Sequence, residues 1–126
     1  MSEPVSAELF DSERLHQIDC DRIRTQGPTI LELFNLLSRS RGLEVLAQFA
    51  DGAGPYRFSD LEHTLDVAPN TLSRRLAELQ EFGLIEKEIR GTSPPHAEYT
   101  ATQEALALKP VLQYLYLWAE ESIPTI

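Results

Sequence analysis

Residues 58–102, FSDLEHTLDVAPNTLSRRLAELQEFGLIEKEIRGTSPPHAEYTAT, decide the fold. Ser59 and Glu62 have the S-x-x-E spacing of a capping box, and Phe58, Leu61 and Leu65 recur at helical intervals, so a two-turn helix is expected to end near Leu65. Asp66-Val67-Ala68 leaves room only for a tight turn. Pro69 suits the first position of a new helix, where its missing N–H costs nothing. Leu72, Leu76, Leu79 and Phe82 give that helix an apolar stripe, and Gly83 supplies a permissive stop, which predicts a helix over 69–82. Two short helices joined by so few residues form a helix-turn-helix.

The chain then changes period. Leu84 to Arg90 alternates with Ile85 and Ile89 on one face, the run from Gly91 to His96 breaks the strand, and Ala97 to Ala101 can pair back on it. Helix, turn, helix and hairpin in this order predict a mainly α, α+β winged helix-turn-helix. With Leu72, Leu76 and Leu79 turned inward, Asn70 and Arg74 point outward and Thr71, Ser73 and Glu78 flank them. Such donors near a helix N-terminus can read base edges in a major groove, where Arg is the commonest partner of guanine. The candidate DNA contacts are therefore Ser59, Asn70, Thr71, Ser73, Arg74 and Arg75 on the helices and Arg90, Thr92, Ser93 and His96 on the wing. A plain solvated helix also shows Arg and Asn to water, so the helix alone leaves both readings open.

The ordered set Arg57-Phe58-Ser59-Asp60-Leu61, Pro69, Leu72-Ser73, Arg75-Leu76, Glu78-Leu79 and Gly83-Leu84-Ile85 resembles the HxlR-type family of winged-helix regulators. Pro94-Pro95, Glu98-Tyr99, Thr102, Pro110-Val111-Leu112, Leu115 and Trp118 fall at that family's spacings too. The resemblance spans about Ser40 to Trp118, and the PadR-type regulators share the architecture. It implies a homodimeric DNA-binding repressor or activator. Three departures stand out. Ser40-Arg41-Gly42 replaces the family's Gly-Lys-Trp. Ala68 replaces a capping Ser, at about 1 kcal/mol of helix stability. His96 stands where the family tends to carry Arg at the wing tip.

The chain's 126 residues carry a net charge of -9 and 42% hydrophobic residues, enough for one compact domain with extensions. The expected division is an acidic, partly helical extension over 1–27, the winged helix-turn-helix over 28–102, and a dimerisation helix with a tail over 103–126. Residues 1–21 hold six acids against one Arg, residues 91–126 four acids against Lys109, and the middle ten acids against nine bases. The charge is thus concentrated at the ends. Only Lys87 and Lys109 are lysines among 11 basic residues, and this Arg bias beside abundant Asp and Glu resembles proteins of salt-loving archaea. At about 1 M salt the Debye length is about 3 Å, so a strongly basic patch has little reach. DNA binding is therefore expected to survive molar salt, with salt cations bridging carboxylates to phosphates as the only cofactor-like species.

Past Thr102, Leu108, Val111, Leu112, Leu115, Trp118 and Ala119 repeat at three and four, with Tyr114 and Leu117 on a second face. A helix apolar over so much of its girth needs two neighbours: its own core, and most simply the same helix of a second copy in a C2 dimer. The other reading folds it back on its own domain. Pro110 would kink it or mark a restart. The dimer would space two recognition helices by about 34 Å and select a palindromic operator in double-stranded DNA. Upstream, a helix carries Ile30, Leu31, Leu33, Phe34, Leu36 and Leu37 with Thr29 and Glu32 as a box, and the next carries Leu43 to Ala50. Tyr56-Arg57-Phe58 is expected as a first strand, and Ser12 to Ile23 as a further helix packing across the dimer.

Cys20 has two readings, an oxidant-sensing thiol and a bystander whose neighbours Asp19 and Asp21 disfavour the thiolate. His16 lies four residues before it, but two ligands do not make a metal site, and none is expected. No phosphate-binding glycine loop, H-E-x-x-H motif or assembled nucleophile and base is present, which argues against an enzyme. A single cysteine, no signal-peptide pattern and no apolar run of eighteen residues predict a cytoplasmic protein with no membrane partner. The rival function is a winged-helix module that binds protein and not DNA.

Overall fold

The computed structural model describes residues 11–124; the first ten residues of the acidic extension and the last two of the tail lie outside that range. The elements run α1 (Ser12–His16), α2 (Cys20–Gln26), α3 (Pro28–Ser38), α4 (Gly42–Asp51), β1 (Tyr56–Arg57), α5 (Phe58–Leu65), α6 (Pro69–Glu81), β2 (Ile85–Arg90), β3 (His96–Ala101) and α7 (Gln103–Ser122). The three strands form an antiparallel sheet in the order β1-β3-β2. Tyr56 lies opposite Tyr99 and Arg57 opposite Glu98, while β2 pairs with β3 from Ile85↔Ala101 to Arg90↔His96. This is the winged helix-turn-helix read from the sequence.

Helix α4 is the hub, packing against α3, α6, β3 and α7. Its Val45, Leu46 and Phe49 are fully buried, as are Leu61 of α5, Leu72 and Leu79 of α6 and Ile85 of β2. Burial of this kind stabilises by about 1.5–3 kcal/mol per side chain. The Tyr56 ring meets Phe49 edge-on at 5.4 Å between centroids, and its hydroxyl donates to the Gly52 carbonyl at 2.6 Å. Gly54 has φ +95, and a Cβ there would lie 2.8 Å from the Tyr99 carbonyl oxygen, so glycine is what lets this loop lie against β3.

Several local expectations need correction. Helix α5 starts at Phe58, and the Ser59–Glu62 box does not cap it. Arg57 is the N-cap, and its backbone N–H donates to Asp60 Oδ2 at 3.1 Å. The cause is tertiary: β1 holds the chain through Arg57, and Phe58 packs directly on the core. Similarly, α3 is N-capped by Gly27 with no side-chain bond, so Thr29 does not act as its cap. The helix expected over Ser12 to Ile23 is two helices, because Asp19 caps a new one by accepting from Arg22 N–H at 2.8 Å. His16 and Cys20 consequently fall on different helices, and His16 Nδ1 lies 2.7 Å from the Ser12 carbonyl. Pro110 marks no restart, since α7 continues through it.

Thr102 joins the wing to α7. Its Oγ1 accepts from Ala105 N–H at 3.4 Å and reaches the Gly83 carbonyl at 2.9 Å, so the start of α7 is fixed to the turn after α6. Ala105 and Ala107 are buried against the core. Beyond Pro110 the helix leaves it, and Tyr114, Leu115, Tyr116, Leu117 and Trp118 are all more than half exposed. Of the six positions expected to meet a second copy, Leu108, Val111, Leu112 and Ala119 are half-buried, while Leu115 and Trp118 stand open.

Candidate nucleic-acid interface

The outward edge of α6 carries Asn70, Ser73 and Arg74, all exposed, with Thr71 half-buried beside them. The helix begins at Pro69 without a side-chain cap, because Ala68 has nothing to offer the free N–H groups. Those N–H groups point from the same end as Asn70 and Thr71, a site suited to negative charge. Ser59 is exposed in the first turn of α5. Among the described residues Arg74 makes no hydrogen bond or ion pair, so its guanidinium is free to reach a ligand.

Arg75 does not belong to this edge. It is 9% exposed, its guanidinium pairs with Glu78 one turn on, and its Nε is buried without a partner. Burial first, and then the nearby charges of Arg39 and Arg74, pull its pKa below the usual arginine value. The signal was present in the sequence: at 100° per residue Arg75 lies about 60° from Leu72, at the margin of the buried stripe.

The wing also differs in detail. His96 is the first residue of β3 and lies opposite Arg90, not at the tip, and its Nε2 is 2.8 Å from Glu98 Oε2. Arg90 is exposed but paired with Glu88. The tip is therefore the exposed run Gly91-Thr92-Ser93-Pro94-Pro95, in which Thr92 and Ser93 supply the hydroxyls. Glu88 lies directly opposite Glu98, and like charges so placed oppose strand pairing. Arg90 pairs with Glu88, and His96 Nε2 contacts Glu98, so each carboxylate has a neighbour on the hairpin.

Pattern reasoning missed two arginines in the link between α3 and α4. Arg39 pairs with Glu78 on α6, and Arg41 donates to the carbonyls of Leu65 and Asp66 at the end of α5. These contacts join residues far apart in sequence, which no periodicity reveals. They also refine the charge map. Residues 58–102 contain four basic and eight acidic side chains, so the device itself is acidic, and the near neutrality of the middle comes from arginines outside it. Cys20 is exposed at the start of α2. No group of three or more His, Cys, Asp or Glu suited to a metal occurs among the described residues, and no helix there is long and apolar enough to cross a membrane.

The chain is similar to regulators of transcription. The chain is 28% identical over 98 residues to the HTH-type transcriptional regulator YodB of Bacillus subtilis, covering 77% of this chain and 86% of the relative. It is 30% identical over 97 residues to the uncharacterized HTH-type transcriptional regulator YvaP of the same organism, covering 76% and 88%. The reduced form of YodB superposes with a TM-score of 0.67 at 27% identity, over 76% of this chain and 93% of the other. A transcriptional regulator of the MarR family from Enterococcus faecalis superposes with a TM-score of 0.64 at 28% identity, over 83% and 89%. These are regulators of transcription and not enzymes. With the HxlR-like helix-turn-helix model matching residues 37–126, the chain belongs to the HxlR-like family of winged helix-turn-helix transcriptional regulators.

Proposed function

We propose that the protein is a sequence-specific transcription regulator that binds a palindromic operator as a homodimer. The observation that carries this reading is the unpaired Arg74 beside Asn70, Thr71 and Ser73 on the exposed edge of α6. Helix α6 enters the major groove, and Thr92 and Ser93 of the wing tip lie along the backbone. The dimer forms through Leu115, Trp118 and the apolar residues around them on α7, with Leu15 of α1, Ile23 of α2 and Ile18 in the link between those helices covering part of the partner. Replacing Arg74 by Ala costs about 1–3 kcal/mol of operator binding and relaxes the sequence preference, while the dimer persists. Full operator binding by this variant moves the function to a protein partner.

DNA binding persists in molar potassium salt, with bound cations between surface carboxylates and phosphates. A titration in which affinity falls steeply and continuously from low to molar salt overturns that part. As an oxidant sensor Cys20 would be a stress input; structures of YodB include diamide-treated and quinone-bound forms. The exposed Cys20 thiol sits between Asp19 and Asp21, and an oxidant response identical in the wild type and Cys20→Ser retires the sensing role.

A further inference from the structure

The link from α3 to α4 is three residues long, and two of them reach into the helix-turn-helix. Arg41 has φ +64, a left-handed backbone, and its Nη2 donates to the Leu65 carbonyl at 2.5 Å and its Nη1 to the Asp66 carbonyl at 3.3 Å. A cation there satisfies the free carbonyls at the C-terminus of α5 and complements its dipole. Arg39 pairs with Glu78 in the third turn of α6. One short segment thus holds the end of the first helix and the middle of the second.

The surroundings make the Arg39 arm important. Helices α3 and α6 face each other across an open cleft of about 330 Å³ lined by Glu32, Asn35, Arg39, Glu78 and Phe82. Arg39 bridges this cleft to Glu78, which holds Arg75 with its other oxygen. On its far side α3 exposes Ile30, Leu31 and Phe34. The Arg39 side chain is half exposed, and such a pair contributes little to global stability, so its effect lies in geometry.

We propose that Arg39 is a positioning residue for the recognition helix: acting through Glu78 it locks α6 to α3, while Arg41 fixes the end of α5 to the same link. The effect on operator affinity rests on the regulator reading above; the lock itself does not.

The test uses the full chain with spin labels at Thr29→Cys on α3 and Ala77→Cys on α6, both exposed positions, in a Cys20→Ser background diluted with unlabelled protein. The distance distribution is narrow with Arg39, broadens in Arg39→Ala, and narrows again in Arg39→Lys, which keeps one charged contact to Glu78. Operator affinity falls about tenfold in Arg39→Ala and largely returns in Arg39→Lys, within the usual range of coupling between sites, while the melting temperature moves little. An unchanged distribution in Arg39→Ala overturns the proposal. So does a loss of affinity without broadening, which makes Arg39 a direct DNA contact. Broadening in a chain that binds no operator in any variant upholds the lock and sinks the regulator reading instead.

Discussion

The two halves of α7 belong to one helix and have opposite surroundings. Its first turns put Ala105 and Ala107 into the core, tied down by Thr102, whereas from Tyr114 onward it carries Leu115, Leu117 and Trp118 more than half exposed. The same contrast separates α4, whose Phe49 is fully buried, from α1 to α3, whose Leu15, Ile18, Ile23, Leu31 and Phe34 face outward. The helix-turn-helix and wing complete their own core within one chain. Among the described residues the apolar side chains at both ends stand open, and that division separates the self-contained core from the surface assigned to the proposed dimer.

Four substitutions probe the contrast. Phe49→Ala opens the hub of the self-contained part and is expected to cost about 3–5 kcal/mol, read as an early midpoint in chemical denaturation. Glu78→Ala strands the buried Arg75 beside Arg39 and Arg74 and should cost about 3 kcal/mol by the same measurement. Trp118→Asp acts on the open half of α7. It is expected to weaken association by at least about 2 kcal/mol in sedimentation equilibrium and to leave the chain folded. A Trp118→Asp chain that unfolds instead assigns that half to the monomer core and breaks the comparison. The smallest change is a gain: Ala68→Ser gives α6 the cap it lacks and should raise stability by about 1 kcal/mol.

The helix-turn-helix was legible because its leucines repeat at helical intervals and only three residues, Asp66 to Ala68, separate the two stripes. The first strand was legible after Gly54-Pro55, although it was expected to run through Phe58, which instead opens α5. What stayed hidden depends on distant parts of the chain. The S-x-x-E motif at Ser59 lost to Arg57 and Asp60 because pairing with β3 fixed where the helix begins. His96 moved into a strand because it has a partner in Arg90, and Arg75 turned inward because Glu78 receives it. Periodicity marks which residues are apolar and says nothing of which carboxylate a given arginine will find. Hence Asn70, Ser73 and Arg74 could be placed on the outer edge from spacing alone, whereas Arg39 and Arg41 could not be connected to it.

The position of His96 has one more consequence. With it drawn back into β3, the tip from Gly91 to Pro95 contains no ionisable side chain, and Arg90 below it already has a carboxylate partner. Each phosphate neutralised by a cation releases a counterion, and those released ions make binding sensitive to salt. In the proposed complex a hairpin that meets the backbone through hydroxyls and peptide groups would release almost none, so the wing's share of binding is expected to change little between dilute buffer and brine.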